Sequence, residues 1–191
     1  FKIITAIAAM DKGSLNLFDE YNCENGEFIY FDKKIEDHEK YGYLNLSQII
    51  KYSSNIGIIK IAEKIGSKTL YKYSRLFGFG SKSKIDLYGE TNGSLKDEKK
   101  WSKISLGQIS MGHEIGVTAL QLALAYSAIA NGGYLIKPYI VDEINSEKEK
   151  LYKKTSPKII RKIATEEIMS NMKNMLRKVV TQGTGEYADI A

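Results

Sequence analysis

The first ten residues, Phe1 to Met10 (FKIITAIAAM), are apolar nearly all round. A helix without a polar face does not sit on a surface; it has to be covered on every side by other elements. The chain must therefore build its domain around its own beginning, and Lys2 is carried toward that interior on the helix's first turn. A charge placed there either snorkels back to water along its own stem or meets a functional partner. Asp11, Lys12 and Gly13 end the pattern.

Several further helices are available to cover it. Leu46 to Gly66 (LSQIIKYSSNIGIIKIAEKIG) reads as two short helices interrupted at Ser53, Ser54 and Asn55, with Gly66 as the second one's C-cap. Ser67 to Phe77 forms another, ended by Gly78 and Gly80, and Gly78 to Gly93 is a glycine-punctuated loop. Thr118 to Asn131 is the clearest helix: Thr118 and Gln121 make a capping box, and Gly132-Gly133 ends it. Thr165 to Val180 is amphipathic, with Ile168, Met172, Met175, Leu176 and Val179 on one face. Acids stand at its N-terminus and bases at its end, as the helix dipole favours.

Strand signals are fewer. Ser14 to Gly42 is weakly patterned, with a turn at Asn25-Gly26 before a short strand at Glu27 to Phe31. Tyr134 to Ile144 and Lys150 to Ile160 alternate enough for a hairpin around the turn Asn145 to Glu149. One hairpin is marginal alone, so the expected fold is α+β: mostly the helical part, with its main sheet incomplete.

Composition excludes several function classes. A chain of 191 residues fits one domain, and 43% hydrophobic residues suffice for a core. The mean hydropathy of −0.29 fits neither a disordered chain nor a membrane span. The longest nearly apolar run, Ile3 to Met10, is far short of the roughly 18 residues a spanning helix needs. Any anchor or export signal is expected upstream of Phe1. The net charge of +5 is spread among acids, as in Lys96 to Lys100 (KDEKK), without a basic stripe interleaved with aromatics. No nucleic-acid partner is expected. Cys23 is the only cysteine, which excludes an internal disulfide and a cysteine metal cluster. His38 and His113 lack ligand spacing, so no metal and no cofactor is expected.

The chemistry-bearing constellation is Ser53-Ser54-Asn55 at a helix break, together with Lys2. A Ser-x-Asn there can present a hydroxyl and an amide into a cleft. The same residues also read as an ordinary N-cap, with Ser54 or Asn55 capping the helix from Ile56 onward.

Four ordered blocks then carry a resemblance. KYSSNIGIIKIAEKIG resembles the segment around the S-x-N motif of penicillin-binding proteins. FGFGSKSKIDLYGE resembles that family's FGFG-x-x-x-x-I-D-L-x-G-E. Trp101 followed by GQISMGHEIGVTALQLALAYSAIANGGYLIKPYIV resembles the long class B signature, and FKIITAIAAM resembles the residues after the catalytic serine in S-T-F-K-I-x-T-A. The chain is similar, over nearly its whole length, to the transpeptidase domain of a class B penicillin-binding protein. Where the family usually has proline after Val-Thr, this chain has Ala119.

The resemblance implies the penicillin-binding-protein/serine β-lactamase-like transpeptidase fold, with residues 1–191 a partial domain truncated at both ends. Lys2 matches the lysine of S-x-x-K, whose serine would lie two residues before Phe1. Ser53 and Asn55 match the first and third residues of S-x-N, and the K-T-G motif would lie just past Ala191. The implied activity is serine acyl transfer on D-Ala-D-Ala stem peptides of peptidoglycan, inhibited by β-lactams, and residues 1–191 alone are expected to be inactive. Lys2 would act as base; Ser53 would relay a proton, and Asn55 would orient the lysine and bind the donor amide. A serine β-lactamase, a β-lactam sensor and a dead scaffold of the same fold share these motifs. The implied setting is the bacterial cytoplasmic membrane, with the domain on the extracytoplasmic side and wall-synthesis proteins as partners.

Overall fold

Helix α1 (Lys2–Asp11) is enclosed as its composition requires: Ile4 to Ala9 are all buried. The structure, a computed structural model, describes residues 1–145 and 153–188. Its cover comes from α2 (Leu46–Lys51), α3 (Asn55–Ile65), α4 (Ser67–Leu76) and α5 (Ser105–Met111). Beyond these, α6 (Ala119–Ala130) packs on α7 (Glu166–Gln182), and α7 also reaches α1 and α2. The Thr5 hydroxyl is buried and donates to the Ser110 carbonyl of α5, and the Lys12 ammonium closes the carbonyl of Ile65 at the end of α3. Tyr73 of α4 donates its hydroxyl to the Asp11 carboxylate. The far end of α1 is thus tied by polar contacts to α3 and α4.

The helix ends follow their caps. Asn45 and Gln48 form a capping box at α2, and Thr118 and Gln121 form the one read from the sequence at α6. Gly66 ends α3 with φ of +78°, a left-handed value that costs a glycine little. Gln121 is buried, and its amide also donates to the carbonyls of Ser81 and Asn92, so one side chain both caps α6 and pins the glycine-rich loop.

The strands differ from expectation. In place of one hairpin, the described residues hold five two-stranded antiparallel sheets. β1 (Glu20–Asn22) pairs with β4 (Tyr43–Asn45), and the hairpin of β2 (Glu27–Tyr30) and β3 (Lys33–Glu36) is nested inside that pair. β5 (Ser94–Leu95) pairs with β6 (Ile115–Gly116), β7 (Tyr134–Lys137) with β10 (Lys158–Lys162), and β8 (Glu143–Ile144) with β9 (Lys153–Lys154). Strands of two to five residues show too few alternations to register as a period of two. The single strand expected over Tyr134 to Ile144 is divided at Pro138, which has no N–H for a ladder. The turn expected from Asn145 to Glu149 lies, beyond Asn145, outside the described residues. Helices with small sheets make the α+β unit that the sequence implied.

Candidate active site

The break between α2 and α3 is sharp. Tyr52 ends α2 and stacks on Tyr41, with ring centroids 5.1 Å apart. Ser53 follows with φ of +57°, a left-handed conformation that costs a non-glycine residue energy and marks sites held by their surroundings. Ser54 is the N-cap of α3: its hydroxyl accepts from the Gly57 N–H at 2.9 Å. Of the two caps open in the sequence, Ser54 fills the position and Asn55 is the helix's first residue.

An acid from a distant strand end holds this turn. The Asp37 carboxylate, just past β3, accepts from the Ser54 hydroxyl at 2.6 Å, the Asn55 N–H at 2.5 Å and the Ile56 N–H at 3.1 Å. An anion at a helix N-terminus meets both unpaired N–H groups and the positive end of the dipole. The Asn55 side-chain amide donates to the Glu36 carbonyl at 2.8 Å, which adds a second tie to the same strand end. Buried Cys23 lies beneath, 3.6 Å from the Ser54 hydroxyl; burial pushes its thiol pKa up, so it stays a neutral packing group.

Lys2 meets this turn from α1. Its ammonium donates to the Ser53 hydroxyl at 2.9 Å across 51 positions. Burial pushes the Lys2 pKa below its ordinary value, and the nearby Asp37 charge partly opposes that. An amine with a lowered pKa in hydrogen-bond contact with a hydroxyl is a proton-transfer pair. Of the residues singled out in the sequence, Lys2 and Ser53 are in direct contact. Asn55 stands at the same turn, but no hydrogen bond joins it to Lys2. Asp37 was missed by sequence reasoning: it lies 17 positions before Ser54, which itself caps α3, and no local pattern relates the two. His38 and His113 are both exposed, and no group of three or more His, Cys, Asp or Glu able to hold a metal occurs among the described residues. A cavity of about 400 Å³ lies elsewhere, against α4, α6 and β10, and neither Lys2 nor Ser53 lines it.

Comparison with known proteins shows the family of the chain. The family model described as the penicillin binding protein transpeptidase domain matches residues 1–191. Stage V sporulation protein D of Bacillus subtilis is 32% identical over 191 residues, covering 98% of this chain and 30% of that protein. Peptidoglycan D,D-transpeptidase FtsI of Escherichia coli is 28% identical over 152 residues, covering 80% of this chain and 24% of that protein. The transpeptidase domain of Burkholderia pseudomallei penicillin-binding protein 3 superposes with a TM-score of 0.87 at 27% identity, covering 99% of this chain and 56% of that one. The chain thus spans less than a third of the length of these curated relatives.

Proposed function

Because the chain belongs to the penicillin-binding protein transpeptidase family, in its class B branch, we propose that the protein is a serine-type peptidoglycan D,D-transpeptidase in which Lys2, Ser53 and Asn55 serve the acyl transfer. The observation that carries this reading is the 2.9 Å hydrogen bond from Lys2 to Ser53, which joins two motif residues 51 positions apart. The family match to Lys2 puts the nucleophilic serine three positions ahead of it, one helical turn away, where its hydroxyl faces the same amine.

The lowered pKa of Lys2 favours its neutral form, which takes the serine proton as the serine oxygen attacks the carbonyl of the D-Ala-D-Ala bond. The C–N bond breaks, and the departing D-Ala amine takes up a proton relayed from the Lys2 ammonium through the Ser53 hydroxyl. The ester left on serine is attacked by an amine of a neighbouring stem peptide, which restores the serine and forms the cross-link. Asn55, fixed by its backbone to Asp37 and by its side chain to Glu36, offers its amide oxygen toward the donor peptide. The K-T-G strand of the family belongs beyond Ala191 in this reading and would supply carboxylate binding and an oxyanion donor.

No helix of the described residues is long and apolar enough to cross a membrane. The family reading sets the domain on the extracytoplasmic side of the membrane, where peptidoglycan, β-lactams and wall-synthesis proteins meet it. Incubating full-length protein with a fluorescent penicillin, and separately with a D-Ala-D-Ala stem peptide plus an acceptor amine, tests the proposal. Stable labelling and cross-linked product are expected, whereas residues 1–191 alone stay unlabelled. Rapid penicillin hydrolysis would make the protein a β-lactamase, and labelling without cross-linking would make it a sensor; either contradicts the proposal.

A further inference from the structure

A cavity of about 400 Å³ opens between the end of α4, the loop after Gly80 and the β7–β10 sheet. Buried Phe77 and Leu135 make its apolar floor, while Lys82, Lys84, Lys137, Lys158 and Arg161 line its exposed rim and no acid does. An adjoining cavity shares Lys137 and Lys158 and adds Lys154. Its one acid, Asp86, has both oxygens taken by the backbone N–H groups of Ile140 and Val141, at 2.8 and 3.0 Å. Glu90, behind the loop, is likewise occupied by the N–H groups of Ser83 and Lys84. Among the described residues none of these six cations forms an ion pair.

The strand register sharpens the point. Lys158 stands directly opposite Lys137 in the antiparallel pair. Like charges in facing positions destabilise a sheet, and an anion placed between them removes that cost. Lys84 adds a third cation from a backbone of φ +61°, a conformation held by the Glu90 contact. Finally, among the described residues β10 pairs with β7 alone, and all five of its residues are exposed, with Ile159 at 58% and Ile160 at 39%. A bare edge strand offers unused backbone donors and acceptors to an incoming chain.

We propose that this face docks an extended acidic peptide segment of a partner protein, which adds along β10 and sets its carboxylates among Lys82, Lys84, Lys137 and Lys158. An apolar side chain of the segment then covers the Phe77–Leu135 floor. Only a polypeptide uses all three features: a phosphate polymer answers the cations but leaves Ile159, Ile160 and the strand edge uncovered. This docking is independent of the acyl-transfer reading, since none of its residues touches Lys2 or the Ser53 turn.

The test uses the full chain and a fluorescein-labelled decapeptide of alternating Glu and Val, read by anisotropy. Saturable binding is expected, weakening at least about tenfold from about 50 to about 300 mM NaCl as the charges are screened. Lys137→Glu with Lys158→Glu should weaken it by a similar factor, and Lys82→Glu, which leaves the strands untouched, should weaken it severalfold. Hydrogen exchange of the 158–162 amides should slow when the peptide is bound. Equal binding by the decapeptide N-methylated at alternate residues, or binding of polyphosphate without binding of the peptide, overturns the strand docking. Absence of peptide binding at low salt overturns the site altogether.

Discussion

The Lys2 ammonium and the Ser53 hydroxyl, 51 positions apart, meet at 2.9 Å because a strained turn points the serine at a helix that the rest of the fold encloses. Ser53 keeps φ of +57°, which glycine adopts freely and alanine does not. Stability and function should therefore separate at this position. Ser53→Gly and Ser53→Ala should both slow acylation of full-length protein, by about 10²–10⁴-fold if the hydroxyl relays a proton. In thermal denaturation Ser53→Gly should be the more stable of the two by about 1 kcal/mol. Equal acylation by wild type and Ser53→Gly would remove Ser53 from the chemistry.

Asp37 holds three groups of the same turn, so Asp37→Asn should cost about 1–2 kcal/mol through the lost helix-cap contacts and charge. A second readout distinguishes an electrostatic role from a purely structural one. The Asp37 charge raises the Lys2 pKa, so its removal should move the pH midpoint of acylation downward. A stability loss with an unmoved midpoint would confine Asp37 to capping.

Lys2 has its own pH signature. Its folded pKa lies below the ordinary lysine value of 10.5, chiefly through burial. Between the folded value and 10.5 the unfolded chain binds more protons, so stability should rise with pH across that window relative to Lys2→Met. Below the folded value the burial cost is fully present in the wild type. Acylation should rise as pH passes through the folded value and level off above it, before pH 10.5. Urea titrations from pH 7 upward for both proteins would detect the first effect. A flat difference between them would contradict the lowered pKa.

Gly57 sets how closely α3 approaches α2. A Cβ there would fall 2.6 Å from Ile49 Cγ1 and 3.1 Å from the Ser54 hydroxyl. Gly57→Ala should cost about 1–3 kcal/mol by overpacking. Adding Ile49→Ala should recover part of that loss, seen as non-additivity in a double-mutant cycle. Strict additivity would mean that the two residues do not press on each other.

The sequence was most legible where segments are long or strongly capped. The apolar run of α1, the Thr118–Gln121 box of α6 and the amphipathic pattern of α7 all have local causes. The pairing of Lys2 with the Ser53 turn was legible only through the resemblance of ordered blocks, because no local pattern relates residues 51 apart. α5 was not read as a helix: SLGQISM is seven residues with an internal glycine, too short for a periodic signal. Asp37 stayed hidden for a related reason. It lies in the weakly patterned Ser14–Gly42 region, and the nested short hairpins that bring it to α3 form through tertiary packing.

The most direct test of the account is the rate at which full-length protein is acylated by penicillin, followed by intact-mass spectrometry, in wild type and Lys2→Met. The account predicts a single adduct on the serine three positions before Lys2. It also predicts a fall of about 10²–10⁴-fold in Lys2→Met, the range for loss of a general base, with the fold intact by circular dichroism. Acylation of Lys2→Met at the wild-type rate, or a wild type that forms no adduct, would contradict it.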